Sequence, residues 1–275
     1  MEQQILKGLK NEDFFHPFDK DAMGIVNMVP GLDRITEFVV SNSVETIYNI
    51  QLKGASLRIT EQNAPKVFKA FKDAATVLEM DKLPDIYLNR GYHFLNRIIG
   101  YKNPIVLLHT NCIDQLNDIQ LRFIAGRCLG GLRLKHNKLE FLCDVSALLS
   151  GFFPGVVTAL SVPLAQWHRK SELSRDRAGL LACQDFESAI QVLMLMSGTP
   201  YGTEQDVDIY DYLDQAVLFQ KSKGLEGIGR TIETLTSNNA WIIERASELL
   251  SWYESGKYDE ILMNTVYEKG WEVEH

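Results

Sequence analysis

Two carboxylates four residues apart, Glu172 and Asp176 in the stretch SELSRDRAGLLACQD, share one face of any helix that holds them. Carboxylates so placed repel each other unless a cation faces them. Arg169 and Lys170 just before this run and Arg175 within it are cations at hand, and neutralisation by them at a solvated surface is the plain expectation. A second stretch, FIAGRCLGGLRLKH from Phe123 to His136, is apolar at helical spacing, with Arg127 and Cys128 at its centre. Its glycines, Gly126, Gly130 and Gly131, each give up about 1 kcal/mol of helix preference relative to alanine. A helix that accepts them packs very closely against a neighbour, or lacks side chains that once had a use. Cys128 has no histidine at supporting distance and reads as a buried structural cysteine rather than a nucleophile.

The elements that must position these residues follow from pattern. Residues 1–50 read as helices with breaks at HPFD (His16 to Asp19) and MVPGLD (Met28 to Asp33). GASLRIT alternates like a strand, and LPDIYLNR and NPIVLLHT read as short strands bounded by turn residues. Between them GYHFLNRIIGYK reads as a hairpin or edge segment. NAPKVFKAFKDAATVLEM reads as a helix to Met80, opened by an Asn cap and Pro65. From Asp114 the pattern is helical almost to the end, with NDIQLRFIAGRCLGGLRLKH as one helix and IIERASELLSWYESGKYDEIL as another. The expectation is an α+β, mainly helical fold with a small mixed sheet and a helical C-terminal part. One domain is expected over residues 1–275: an N-terminal helical segment to residue 53, a core over 54–200, and C-terminal helices over 201–275.

Composition narrows the classes. A net charge of −8 argues against nucleic acid as a partner, because phosphate binding needs a basic footprint. Cys112, Cys128, Cys143 and Cys183 form no CxxC pair and read as reduced thiols in a cytosol-like compartment. The N-terminus shows no uninterrupted apolar run of a secretory signal. Val145 to Ala165 carries no charge, and its length would suffice to cross a membrane. Its serines and the Pro154-Gly155 break favour two short buried helices joined at FFPG, with peripheral membrane contact through residues 145–165 as the alternative. GLEGIGR (Gly224 to Arg230) meets neither the dinucleotide nor the P-loop spacing and reads as an inter-helix loop.

At this point a resemblance becomes specific. SELSRDRAGLLACQD resembles the third-ligand helix of the HtpX-like zinc metallopeptidases, the group that includes the CaaX prenyl proteases. Their motif runs E-x-x-A-D-x-x-(A/G), and here Arg175 stands where alanine is usual. HPFD, VPGL, LPDIYL, NPIVLLHT and ELLSWYESGKYDEIL fall in the family's order, so the similarity covers most of the chain, in the manner of its soluble single-domain members. The resemblance implies a metallopeptidase (gluzincin-like) fold. It also implies a catalytic HExxH helix, whose two His at i and i+4 bind zinc while its Glu activates water. In register, GHExGHxxxGH meets GRCLGGLRLKH: Gly126, Gly130 and His136 agree, but Arg127 and Gly131 replace the ligands and Cys128 the general base.

The resemblance places further positions. Leu95, Asn96, Arg97 and Ile98 align with the edge segment that pairs with substrate backbone. Asn239 and Ala240 stand for a His-Pro, and the oxyanion-stabilising Arg is retained as Arg245. The expectation is therefore a catalytically degenerate peptidase homologue: no catalytic residues, no cofactor, and a peptide- or protein-binding or regulatory role in the cytoplasm. A partnership with an active relative fits that role. The alternatives are an active zinc endopeptidase with atypical ligands (Glu172 with Cys128, His168 or His136) and a membrane-associated scaffold. Arg127, placed where a ligand stood, is expected to pair with Glu172, because a buried carboxylate without a cation is costly.

Overall fold

Caps and prolines set the helix starts. After the single turn α1 (Asn11–Phe14), α2 (Pro17–Asn27) opens on Pro17, and His16 Nδ1 accepts a hydrogen bond from the Phe18 N–H at 3.2 Å. The HPFD segment thus caps a helix, and the His16 N–H also donates to Ser174 Oγ at 2.9 Å. The structure, a computed structural model, describes residues 4–91, 96–199, 207–222 and 241–269. α3 (Leu32–Ser41) and α4 (Val44–Gly54) follow, then β1 (Leu57–Arg58), α5 (Pro65–Val77), β2 (Asp85–Asn89), β3 (Asn96–Ile99) and β4 (Ile105–His109). α5 ends three residues before Met80: Glu79 takes a left-handed φ of 49°, which closes the helix. Ala64, not an asparagine, stands at its N-cap.

The sheet has the order β1-β2-β4-β3, with β2 and β4 parallel and both outer strands antiparallel. In β3, Asn96 faces Leu108 and Ile98 faces Val106. β3 is therefore an edge strand among the described residues, as GYHFLNRIIGYK suggested. Its turn into β4 is held by Glu45, whose carboxylate accepts from the backbone N–H of Tyr101, Lys102 and Asn103 at 2.8–3.0 Å.

The remainder is helical: α6 (Asn111–Asp114), α7 (Asp118–Arg133), α8 (Asn137–Asp144), α9 (Ser146–Ser150), α10 (Pro154–Cys183), α11 (Phe186–Ser197), α12 (Ile209–Ser222), α13 (Ile242–Glu254) and α14 (Lys257–Lys269). Three sequence expectations need correction. The glycine-rich helix stops at Arg133; Lys135 takes a φ of 62°, and His136 begins the separate helix α8. The C-terminal run breaks at Gly256, whose φ of 77° suits only glycine cheaply, giving α13 and α14.

The third correction concerns Val145–Ala165. It is not a pair of short buried helices, because the helix beginning at Pro154 runs on for 30 residues, through Pro163, to Cys183. Pro163 frees the Ala159 carbonyl, and Ala159 is exposed, so water can take the lost bond. Leu148, Phe152 and Val162 are also exposed. No described helix is long and apolar enough to cross a membrane.

Of the three apolar clusters among the described residues, two bear on the site. The larger lies between one sheet face and helices α5, α7, α10, α11 and α13, around Phe71, Phe123, Ile124, Leu180 and Leu193. The smaller gathers Ile35, Phe141, Leu149, Leu160 and Trp167 from α3, α8, α9 and the first half of α10. The helix expected over IGRTIETLTS and the loop GLEGIGR lie outside the described residues.

Candidate functional site

The site forms where α7 and α10 pack with almost no side chain between them. A Cβ at Gly126 would lie 2.3 Å from Ala182 Cβ, and one at Gly130 would lie 2.2 Å from Ala178 Cβ. These glycines therefore serve close packing. α7 itself is fixed by Asn117, whose Oδ1 accepts from the Ile119 and Gln120 N–H groups, both at 2.9 Å.

Close packing brings Arg127 of α7 directly against Glu172 and Asp176 of α10. Arg127 is 1 % exposed, as is the Asp176 side chain, and the guanidinium Nε sits 2.8 Å from Asp176 Oδ1 while Nη2 pairs with Glu172 Oε2. Arg127 Nη1 also donates to Asn96 Oδ1 on the edge strand at 3.3 Å. From α13, Arg245 makes a two-point contact with Asp176, Nε and Nη2 each at 2.8 Å, and places Nη1 3.2 Å from Glu172. From α10 itself, Arg175 Nη1 donates to Glu172 Oε1 at 3.1 Å and Nη2 pairs with Glu140 of α8. The expected Arg127–Glu172 pair is thus present, inside a larger cluster of three arginines and three carboxylates.

The solvated-surface expectation fails here. Arg175 is buried and works inside the protein, Arg169 is buried, and Lys170 reaches Glu244 at 3.0 Å. Burial alone would raise the Glu172 carboxyl, but the Arg127 and Arg245 guanidiniums outweigh it and bring it from an ordinary 4.5 to about 2. Burial works against the charge on Arg245 as well, and Asp176 and Glu172 more than offset it, so its pKa is raised. Burial, with Arg127 nearby, lowers Arg175 to about 10, so it stays charged at neutral pH. A carboxyl depressed in the folded state contributes stability that is complete above its unfolded pKa and drains away as pH falls through the folded one. Loss of structure followed by circular dichroism should therefore set in as pH drops below about 4.5 and deepen toward 2, and Glu172→Gln should remove that component. An acid profile identical in parent and variant would show that Glu172 is not held by this cluster.

His136 serves elsewhere. Fully buried, it lies 3.1 Å from Asp19 of the HPFD segment and edge-on to Trp167. Burial lowers its pKa despite Asp19, so the ring is neutral at pH 7. Ser174 Oγ donates to the same carboxylate. His136 and Asp19 together tie α2 to α8 and α10. Sequence reasoning missed this pairing, although both residues stood in quoted motifs.

A cleft of about 790 Å³ opens beside the cluster. Asn96 and Arg97 of β3 line one side, Glu172, Arg175 and Arg245 its floor, and Leu149, Val157, Leu160 and Leu164 its apolar end. Arg97 also pairs with Asp144 of α8. Ile98 does not line the cleft; it is buried against Gly131 of α7, beside the cluster. Leu95 and Asn239, with Ala240, lie outside the described residues.

The comparisons come to bear on this geometry. The chain is 26 % identical over 266 residues to plastoglobule-localized metallopeptidase 48, chloroplastic, of Arabidopsis thaliana, an alignment covering 94 % of this chain and 77 % of that protein. The chain is similar to a metallopeptidase. No family model matches it, and no solved structure matches it. The likeness supports a metallopeptidase-type family and is compatible with the mainly helical α+β architecture.

Such a family implies zinc. A catalytic zinc centre takes three protein ligands and keeps one position open. Here the Glu172 carboxylate is shared among three guanidiniums, and position 131 carries no side chain. Among the described residues no three of His, Cys, Asp and Glu are arranged to hold a metal ion, the set of Glu172 with Cys128, His168 or His136 included. The residues at this centre do not fit zinc.

Proposed function

We propose that the protein is a non-hydrolytic relative of zinc metallopeptidases that binds an extended polypeptide in its cleft, in the cytoplasm, as a regulatory partner of an active peptidase. The observation that carries this reading is the filling of the centre by Arg127 and Arg175 beside a cleft with an open strand edge. Hydrolysis needs an activated water and an empty coordination site, and the guanidiniums leave neither a ligand set nor a general base at 128. Peptide capture needs neither. Pairing onto β3 uses backbone groups, and the apolar end around Leu149, Leu160 and Leu164 takes bulky side chains.

The experiment is fluorescence anisotropy with a set of unfolded peptides rich in bulky apolar residues, run with and without EDTA, and with mass spectrometry for cleavage. Binding should be EDTA-insensitive and leave the peptides intact. Ser161→Trp, at an exposed position on the cleft wall, should weaken it by about tenfold, the equivalent of ~1.4 kcal/mol. Cleavage that EDTA abolishes would sink the reading, and so would binding indifferent to Ser161→Trp.

A further inference from the structure

We propose that Arg127 and Arg175 act as one unit that stands in for a divalent cation, and that the missing side chain at Gly131 is what makes room for it. The inference rests on the non-hydrolytic reading of this centre and adds how its departures depend on one another.

Charge comes first. Glu140, Glu172 and Asp176 bring three negative charges to the cluster, and Arg245 supplies one positive charge. What remains is a deficit of two, which Arg127 and Arg175 together fill. Their contacts also have the reach of a bridging ion. Arg127 joins Glu172, Asp176 and Asn96, and Arg175 joins Glu172 to Glu140, so α7, α8, α10 and β3 meet at two guanidiniums. Neither arginine alone balances the set. A buried carboxylate left without its cation is costly, so losing one arginine strands part of the cluster.

Space comes second. Residue 131 follows 127 by one turn and therefore faces the same side of α7. A Cβ built there would lie 2.9 Å from Ile98 Cδ1 and 3.1 Å from Arg175 Nε. The Ile98 side chain is buried, and Arg175 is held by two carboxylates, so little space is open to either. The Ile98 δ-methyl and the Arg175 side chain together crowd the volume that a side chain at 131 would need. Long at 175 and absent at 131 are two halves of one packing solution.

The test loads the site with a real cation. Arg127→His with Gly131→His places two imidazoles at i and i+4 facing Glu172, a set suited to zinc. The pair is made with Arg175 retained and with Arg175→Ala, incubated with zinc, gel-filtered, and assayed for metal by plasma mass spectrometry, with far-UV circular dichroism as the check on folding. The chain carrying Arg175→Ala should hold about one zinc and the chain retaining Arg175 less than a tenth of that. Equal loading of the two, or no loading of a folded Arg175→Ala chain, overturns the proposal while the non-hydrolytic reading stands. One zinc on the unaltered chain overturns that reading instead. Gly131→Ala in the natural chain gives an independent measure: Tm should fall, where an unhindered helix site would gain from alanine. A rise in Tm shows that Arg175 does not fill the space, and overturns the proposal even if the multiple variants fail to fold.

Discussion

Arg127→Met should lower the Tm by about 10 °C in scanning calorimetry. Methionine nearly matches the arginine stem in length and keeps the apolar contacts, so the change isolates the charge. Its loss leaves Glu172 and Asp176 with Arg245 as their shared cation and Arg175 already turned partly to Glu140. Removing one partner of a buried pair costs about 3–5 kcal/mol. For a chain of this size each kcal/mol is worth roughly 2–4 °C. Arg127→Lys should recover only part of the loss, because one ammonium cannot span two carboxylates and Asn96 as the planar guanidinium does. Adding Glu172→Gln to Arg127→Met should recover more, since Arg175 with Glu140 and Arg245 with Asp176 then balance. An Arg127→Met chain melting within about 2 °C of its parent would show that the cluster is held by Arg245 and Arg175 without it.

The second large effect is steric. Gly130→Ala puts a methyl group 2.2 Å from Ala178 Cβ, and Gly126→Ala puts one 2.3 Å from Ala182 Cβ and 2.8 Å from the Ala178 carbonyl oxygen. These neighbours are short side chains and backbone, which no rotamer change can move aside. The helices must separate, and with them Arg127 from Asp176. Overpacking typically costs about 1–3 kcal/mol, and approaches this close to immobile neighbours put each site at or above the upper end. The double variant should be recovered only as aggregate. Ala178→Gly in the Gly130→Ala chain should restore most of the lost Tm, because it removes the atom that the new methyl meets. If Gly130→Ala alone is as stable as the parent, the helix contact is looser than described.

Much of this centre was legible because it rests on local rules. The i, i+4 spacing of Glu172 and Asp176 and the Asp185 cap of α11, whose carboxylate accepts from the Ser188 N–H at 2.7 Å, follow from single-helix geometry, whereas the residues alone left close packing at Gly126 and Gly130 as one of two readings. The Arg127–Glu172 pair was legible because the resemblance set Arg127 where a ligand would stand and a buried carboxylate demands a cation; charge alone pointed to Arg169, Lys170 and Arg175. Arg175 was misread as a surface residue. Its i−3 neighbour Glu172 is in the sequence, but its burial depends on Glu140 of α8, a helix for which the sequence pattern gave no separate start. Only the left-handed turn at Lys135 marks that boundary, and lysine gives no warning of it. Pro163 misled for a related reason: the cost of proline in a helix depends on whether water reaches the freed carbonyl, which is a property of the folded surface. The pairing of His136 with Asp19 joins residues more than a hundred positions apart and leaves no local trace.

The uninterrupted course of α10 has a consequence for how the protein comes apart. Thirty residues of helix extend roughly 45 Å, and Leu160, Leu164 and Trp167 at one end belong to the smaller core while Ala178, Leu180 and Ala182 at the other belong to the larger. A rigid rod with each end embedded in a different core couples their fates: neither can melt while the other holds the helix straight. Amide hydrogens in the middle of α10 should then exchange with solvent only when the whole chain opens, and the two cores should unfold as one cooperative unit.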